Sequence, residues 1–382
     1  MVMSKTIRDV KKALFFTSCS HAGKFFLDSL LDGHPAVLGF NPTSLSKTIM
    51  DEVKRSVSRS GESLEEEIRS YINRVFSDNE WDSYVADGTN IKGTIPWFSD
   101  YCRILHEMVD ESRHYSEKEL LLLIYWSLFE TLYGSYHADT EPVFFIDVHD
   151  GSKEESTLKW LLELGFDVML IEAIRNPIIK LGSFFRMWQT EKIRPENLFR
   201  QLTYLGHETL NETERKQPII RYRFEDLKVY PEKLLSILCD RLGIKWDDCL
   251  MEATFLGKSS TFSSKNGEKT KGFSLKQVWY PYDEYFNAYD RFRLDLLFRE
   301  RCKAYDYSYI PRESYPYPEA DMVKLFEQPF KFEKQMCFET EVERQQYRRD
   351  LRELAAKLTD MYHHEEDFPD SFCFGDYLKV ET

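Results

Sequence analysis

No two of the seven cysteines in this sequence stand at C-x-x-C spacing. They fall at Cys19, Cys102, Cys239, Cys249, Cys302, Cys337 and Cys373, an odd and scattered set. That argues against a disulfide framework or a zinc knuckle and for reduced thiols. Residues 1–12 lack the apolar core of a signal peptide. The longest apolar run, residues 120–126, is far short of the ~20 residues a membrane-spanning helix needs. Positive charge is also in deficit: 51 Lys and Arg against 65 Asp and Glu leave a formal charge of −14. Nucleic acid and anionic membranes repel such a chain. These absences predict a soluble cytoplasmic protein with no membrane span and no nucleic-acid partner. Any anion it binds must be held by a local cluster of donors.

What is present is a large folding potential. The chain has 382 residues, 42% of them hydrophobic and 15% aromatic, enough for one large domain or two moderate ones. Ala-Leu-Phe-Phe (13–16) reads as a short buried strand. Phe25, Phe26, Leu27, Leu30 and Leu31 then recur at helical spacing, and the pattern stops at Gly33 before Pro35. Residues 36–40 read as a second strand. After a helical stretch, strands are expected at 143–146, 168–171 and 219–222, with helices at 154–164, 177–189 and 231–242. This alternation predicts an α/β fold with an open, P-loop-like parallel sheet flanked by helices. A helical insertion is expected at about 44–140, opened by the capping-box sequences Ser63-Leu-Glu-Glu66 and Ser116-Glu-Lys-Glu119.

Residues 258–272, rich in Ser, Lys, Gly and Thr, read as a mobile loop, and 283–302 as a helix. Two prolines at 315–318 suggest a boundary, giving an α/β unit over 1–315 and a C-terminal helical extension over 316–382. In that extension Tyr347, Leu351, Leu354, Leu358 and Met361 form a short heptad stripe. The stripe fits a helix laid on its own domain better than a coiled coil, with a homodimer as the other possibility.

The most informative segment is Thr17-Ser-Cys-Ser-His-Ala-Gly-Lys24, between the first strand and the first helix. A helix N-terminus there offers amides and a favourable dipole to a phosphate. Gly23 lets the backbone approach closely, and Lys24 and His21 are cationic or donor groups beside it. A nucleoside triphosphate loop would read G-x-x-x-x-G-K-[ST]. Here Ser18 replaces the first Gly, and Phe25 replaces the hydroxyl that holds Mg²⁺. The loop therefore suits a phosphate held without a metal.

Three stretches, in order, resemble the sulfotransferase family, especially its bacterial and carbohydrate-type members. Residues 18–35 resemble the family's 5′-phosphosulfate loop with its leucine-rich helix and His-Pro. Arg175-Asn-Pro177, with Ser183 eight residues after Arg175 and then Trp188, resembles its 3′-phosphate segment. Tyr222-Arg-Phe-Glu-Asp-Leu227, followed by Pro231 and Leu242-Gly243, is similar to its Tyr-Glu-Asp-Leu strand and next helix. The resemblance spans roughly 13–243. It implies 3′-phosphoadenosine 5′-phosphosulfate as sulfuryl donor, 3′,5′-adenosine bisphosphate as product and no metal. The acceptor would be a small molecule, lipid or carbohydrate hydroxyl.

By that resemblance Ser20, Ala22, Gly23, Lys24 and Phe25 meet the 5′ end of the nucleotide, and Arg175 and Ser183 the 3′-phosphate. Phe224, taken as part of the strand, stacks on the adenine, and Lys271 and Gly272 close over the 3′ end. Lys24 and His21 are the alternatives for stabilising the leaving phosphate. Asp147-Val-His149, after a strand, resembles the stretch that carries the family's catalytic histidine. It makes His149 the general base, with Asp147 orienting a histidine or itself the base.

Two other readings stand beside this one, a P-loop-type ATP-dependent small-molecule kinase and a nucleotide-binding protein without turnover. Phe25 counts against the kinase. Trp97, Phe98, Tyr125, Trp126 and Phe129 either line an acceptor pocket or build core. His363-His-Glu-Glu366 places its residues on different faces of a helix end and suits solvent better than a metal.

Overall fold

A computed structural model describes residues 10–17, 22–39, 63–78, 97–110, 112–134, 141–147, 154–187, 193–206, 214, 216–259, 261–263, 269–309, 323–336, 338–361 and 375–380. In chain order the first elements are β1 (Lys12–Phe16), α1 (Lys24–Leu31), β2 (Val37–Leu38), α2 (Leu64–Asp78), α3 (Phe98–Met108) and α4 (Glu117–Tyr133). Next come β3 (Val143–Asp147), α5 (Glu154–Glu163), β4 (Asp167–Ile174), α6 (Pro177–Met187), α7 (Pro195–Gly206) and β5 (Ile219–Arg223). Then follow α8 (Phe224–Val229), α9 (Pro231–Leu242), β6 (Thr254–Phe255), β7 (Lys258–Ser259), β8 (Thr261–Ser263) and β9 (Lys269–Lys271). The last are α10 (Ala288–Ala304) and α11 (Glu341–Met361).

Five strands form the parallel sheet expected from the alternating pattern, in the order β2-β3-β1-β4-β5. β1 lies at its centre and is buried on both faces, which is why its sequence is an unbroken apolar run. Successive side chains alternate between the faces. Leu14 and Phe16 join the layer formed with α1, α8 and α9, while Ala13 and Phe15 join the layer formed with α4.

The helical insertion covers one face of the sheet. α4 is buried almost all round from Leu120 to Phe129, as expected of a helix apolar on every side. Tyr125 meets Phe144 of β3 edge-on at 4.8 Å. Tyr125, Trp126 and Phe129 are core, and Trp97 and Phe98 pack against the same cluster. Ser116 and Glu119 form the capping box that the sequence announces. Among the described residues no helix is long and apolar enough to cross a membrane.

Several elements differ from the sequence reading. The stretch 258–272 is not simply loop: β6 pairs with β7 and β8 with β9 in two antiparallel hairpins. The helix expected from 283 begins at Ala288, because Asn287 and Asp290 form a capping box there. Phe224 is the first residue of α8 rather than the end of a strand. α7 had no counterpart in the reading.

In α11, Tyr347, Leu351 and Ala355 are buried against α7, α10 and the segment 323–332. Tyr347, Leu351 and Leu354 of the stripe are thus laid on the chain's own core. Further on, the Leu378 amide donates to the Arg221 carbonyl at 2.7 Å, so the segment 375–380 bridges the β5 edge of the sheet.

Candidate nucleotide site

The chain leaves β1 toward β2 on one side of the sheet and leaves β4 toward β5 on the other. Ligands in open α/β sheets bind beyond the strand ends at such a reversal. Two of the segments singled out in the sequence lie there, since α1 follows β1 and Arg175 follows β4. The Thr17 amide donates to the Ile171 carbonyl at 3.1 Å and holds the end of β1 against β4.

α1 begins at Lys24, and Gly23 before it has φ +95° and no side chain to cap the helix. No acidic residue stands in the first turn. Its leading amides are therefore the kind of donors that an anion satisfies. The opposite end of the helix is pinned: Asp32 accepts from Tyr133 Oη at 2.5 Å, Thr254 Oγ1 at 2.8 Å and the Gly257 amide at 3.0 Å. Burial raises the Asp32 carboxyl above the ordinary carboxylate range, and these three donors work against that rise. The axis of α1 is thereby fixed by α4 and the β6–β7 turn.

Phe224 forms the floor beneath the Gly23 turn. A Cβ on Gly23 would collide with the Phe224 ring at Cδ2. The Phe26 ring meets Phe224 edge-on at 6.3 Å, and the Arg175 guanidinium lies 4.9 Å from the Phe224 ring centroid. Phe224 is only 1% exposed, so its faces are already taken by the protein. Gly23→Ala combines a positive φ, costing about 1–3 kcal/mol for a side-chain-bearing residue, with a collision against that ring. We expect a lower melting temperature, partly restored in Gly23→Ala/Phe224→Leu. An unchanged melting curve for the single variant would show that the turn relaxes freely.

Arg175 is held by its neighbours' backbone. Asn176 caps α6, its Oδ1 accepting from the Ile178 and Ile179 amides at 3.1 Å each. The Asn176 amide donates to Glu225 Oε1 at 2.9 Å, and Tyr307 Oη donates to Glu225 Oε2 at 2.7 Å. Glu225, from α8, thus locks the turn that carries Arg175. Ser183 lies two turns along α6 and is half-buried.

Lys228 of α8 was not singled out in the sequence. Its Nζ donates to the Gly272 carbonyl at 2.7 Å and lies 3.1 Å from the Phe26 ring centroid. Burial, and secondly the charge of Arg175, push its ammonium down to about 7. No local sequence signal marks Lys228, because the residues that bury it come from distant parts of the chain. Lys271 is exposed at the end of β9, and Gly272 follows with φ +56°.

Of the residues expected from the sequence, Gly23, Phe224, Arg175 and Gly272 are linked through these contacts. Ala22 is buried beside Gly23, and Lys24, also buried, places Nζ 5.7 Å from the Phe25 ring centroid. Ser20, His21, His149 and Trp188 lie outside the described residues, as does the side chain of Asp147. Among the described residues no group of three or more His, Cys, Asp or Glu is placed to hold a metal ion.

Two examples stand for the solved structures that are similar to this chain. One is the sulfotransferase domain from the Synechococcus PCC 7002 olefin synthase, at TM-score 0.41 and 15% identity, covering 79% of this chain and 96% of that one. The other is the sulfotransferase domain from the curacin biosynthetic pathway, at TM-score 0.39 and 14% identity, covering 79% and 99%. No family model and no curated protein matches the sequence.

Proposed function

We propose that the chain is a sulfotransferase that moves the sulfuryl group of 3′-phosphoadenosine 5′-phosphosulfate to an acceptor hydroxyl. One observation carries the reading: the Gly23 turn that starts α1 and the Arg175 turn both close on Phe224 at the point where the strand order reverses. That arrangement offers two separate anion-holding groups, helix amides and a guanidinium, to one ligand charged at both ends. The order of the three sequence segments supports it as well.

In this reading the Gly23 turn and the amides of Lys24 and Phe25 hold the 5′-phosphate, and Arg175 with Ser183 holds the 3′-phosphate. Phe224 supports both from below instead of stacking on the base. The acceptor oxygen forms its bond to sulfur as the sulfur's bond to the 5′-phosphate oxygen breaks. His149 or Asp147 takes the acceptor's proton, and Lys24 or His21 meets the charge that builds on the departing phosphate.

The test begins with thermal stabilisation. 3′,5′-Adenosine bisphosphate without metal is expected to raise the melting temperature, and transfer of labelled sulfate is expected to a sugar, lipid or small-molecule hydroxyl. Stabilisation by ATP with Mg²⁺ alone would overturn the reading in favour of a kinase. Bisphosphate binding with no sulfated product across the panel would leave a nucleotide-binding protein without turnover.

A further inference from the structure

We propose that Lys228 is a positioning residue that ties the Gly272 turn to the nucleotide pocket and takes up a proton when the nucleotide binds. The inference rests on the sulfotransferase reading above, and it starts from where one ammonium sits. Lys228 is 4% exposed. Its Nζ lies over the Phe26 ring of α1 at 3.1 Å, lies 5.5 Å from the Phe224 ring and donates to the Gly272 carbonyl at 2.7 Å. α1, α8 and the turn after β9 therefore meet on one side chain. Gly272 has φ +56°, a conformation glycine adopts without strain, and in it the carbonyl faces Lys228. Phe273, the next residue, packs edge-on to the same Phe26 ring at 5.2 Å.

The second part follows from charge. Arg175 and Lys228 share the Phe224 ring, the first at 4.9 Å and the second at 5.5 Å. Two cations are thus buried close together. The other titratable groups on the elements packed here are Lys24 and Asp28 of α1, Lys271, and Glu225 and Asp226 of α8 itself. Glu225 is engaged by Asn176 and Tyr307, and Asp226 by Arg223. Burial and Arg175 bring Lys228 down to about 7, so near neutral pH much of it is uncharged before ligand arrives. A phosphate dianion at Arg175 leaves the burial unchanged but offsets that repulsion, and so lifts Lys228 above its free value.

The sign of the linkage is fixed. The bound form holds the proton more tightly than the free form, so affinity is greatest below the free value. It falls about tenfold per pH unit between the free and the bound values, one proton's worth.

The experiment is calorimetric titration of the full chain with 3′,5′-adenosine bisphosphate at pH 8, in two buffers of different ionisation enthalpy. The phosphate monoester, with a second pKa of about 6, is already doubly ionised there, so uptake reports the protein. Wild type is expected to take up a measurable fraction of a proton per site, and to lose affinity as pH rises from 7 to 9. Lys228→Arg, charged throughout, is expected to bind with no uptake and with a flat profile. Lys228→Met, free of the larger guanidinium, is expected to bind more weakly at pH 7 and also without uptake. Binding by wild type without proton uptake, or equal uptake by both variants, overturns the inference alone. No bisphosphate binding by wild type overturns the sulfotransferase reading and this inference with it. A purely structural lysine would shift the melting temperature but not the proton count.

Discussion

Replacing Arg293 by alanine is expected to cost about 3–5 kcal/mol of folding stability, the scale seen when one member of a buried ion pair is removed. Arg293 is wholly buried in α10, and its Nη2 lies 2.6 Å from Asp290 Oδ1. It also donates to the carbonyls of Leu325, Gln328 and Pro329 at 3.0, 2.6 and 3.3 Å. The guanidinium lies 3.8 Å from the Phe330 ring centroid. Alanine would leave a buried carboxylate, the buried Leu325 carbonyl and the part-buried carbonyls of Gln328 and Pro329 without this partner, and would open a cavity beneath Phe330. Asp290 also serves the start of α10, accepting from the Asn287 and Lys331 amides. The damage should therefore reach the seating of 323–332 and, through it, α11. Urea denaturation is the measurement: the midpoint should fall with little change in slope. Lys at this position keeps charge but not the planar fork, and should recover only part of the loss. A midpoint equal to wild type would mean that the segment 325–330 finds other donors.

Arg175→Ala should weaken 3′,5′-adenosine bisphosphate by about 1.5–3 kcal/mol, the worth of hydrogen bonds to a charged group. That is about 10- to 150-fold in dissociation constant. The stability cost should be smaller, because Asn176 and Glu225 hold the backbone of the turn independently of the guanidinium. Arg175→Lys should fall between, keeping a charge without the paired planar donors. Titration calorimetry on variants that melt as wild type separates the two effects. Unchanged affinity in a folded Arg175→Ala protein would remove this residue from the site. Because Arg175 also depresses Lys228, the alanine variant should lift the lysine and reduce the proton uptake on binding.

The parts of this molecule legible from sequence are those whose signal is local. β1 and α1 announce themselves by an unbroken apolar run, a change to helical spacing and a glycine–proline stop. α4 does so by its capping box and uniform apolarity. The Gly23 turn ahead of α1 was readable for the same reason. Phe224 was not, because no proline or glycine separates β5 from α8, and the strand pattern runs straight into a six-residue helix. The late start of α10 turned on an Asn-x-x-Asp box, with aspartate in the place where glutamate is usually sought.

Lys228 illustrates the other limit. Its burial is set by Gly272, 44 residues later, and by Phe26, 202 residues earlier in the chain. Nothing in the sequence around a helical lysine reports such partners. The same holds for Glu225, whose carboxylate joins Asn176 to Tyr307 across three separate elements.

The sheet order has a consequence for the chain during its synthesis. Among the described strands β1 comes first in the chain, yet its two neighbours begin at Val143 and Asp167, with the helical insertion between. At roughly 5–20 residues per second, the nascent chain carries β1 without either partner for on the order of 10 s. Through that interval Leu14, Phe15 and Phe16 form an apolar segment with unpaired edges, the kind that joins to other chains. The ribosome-bound chain is thus the stage at which these apolar residues lack the cover that β3 and β4 give them in the finished fold.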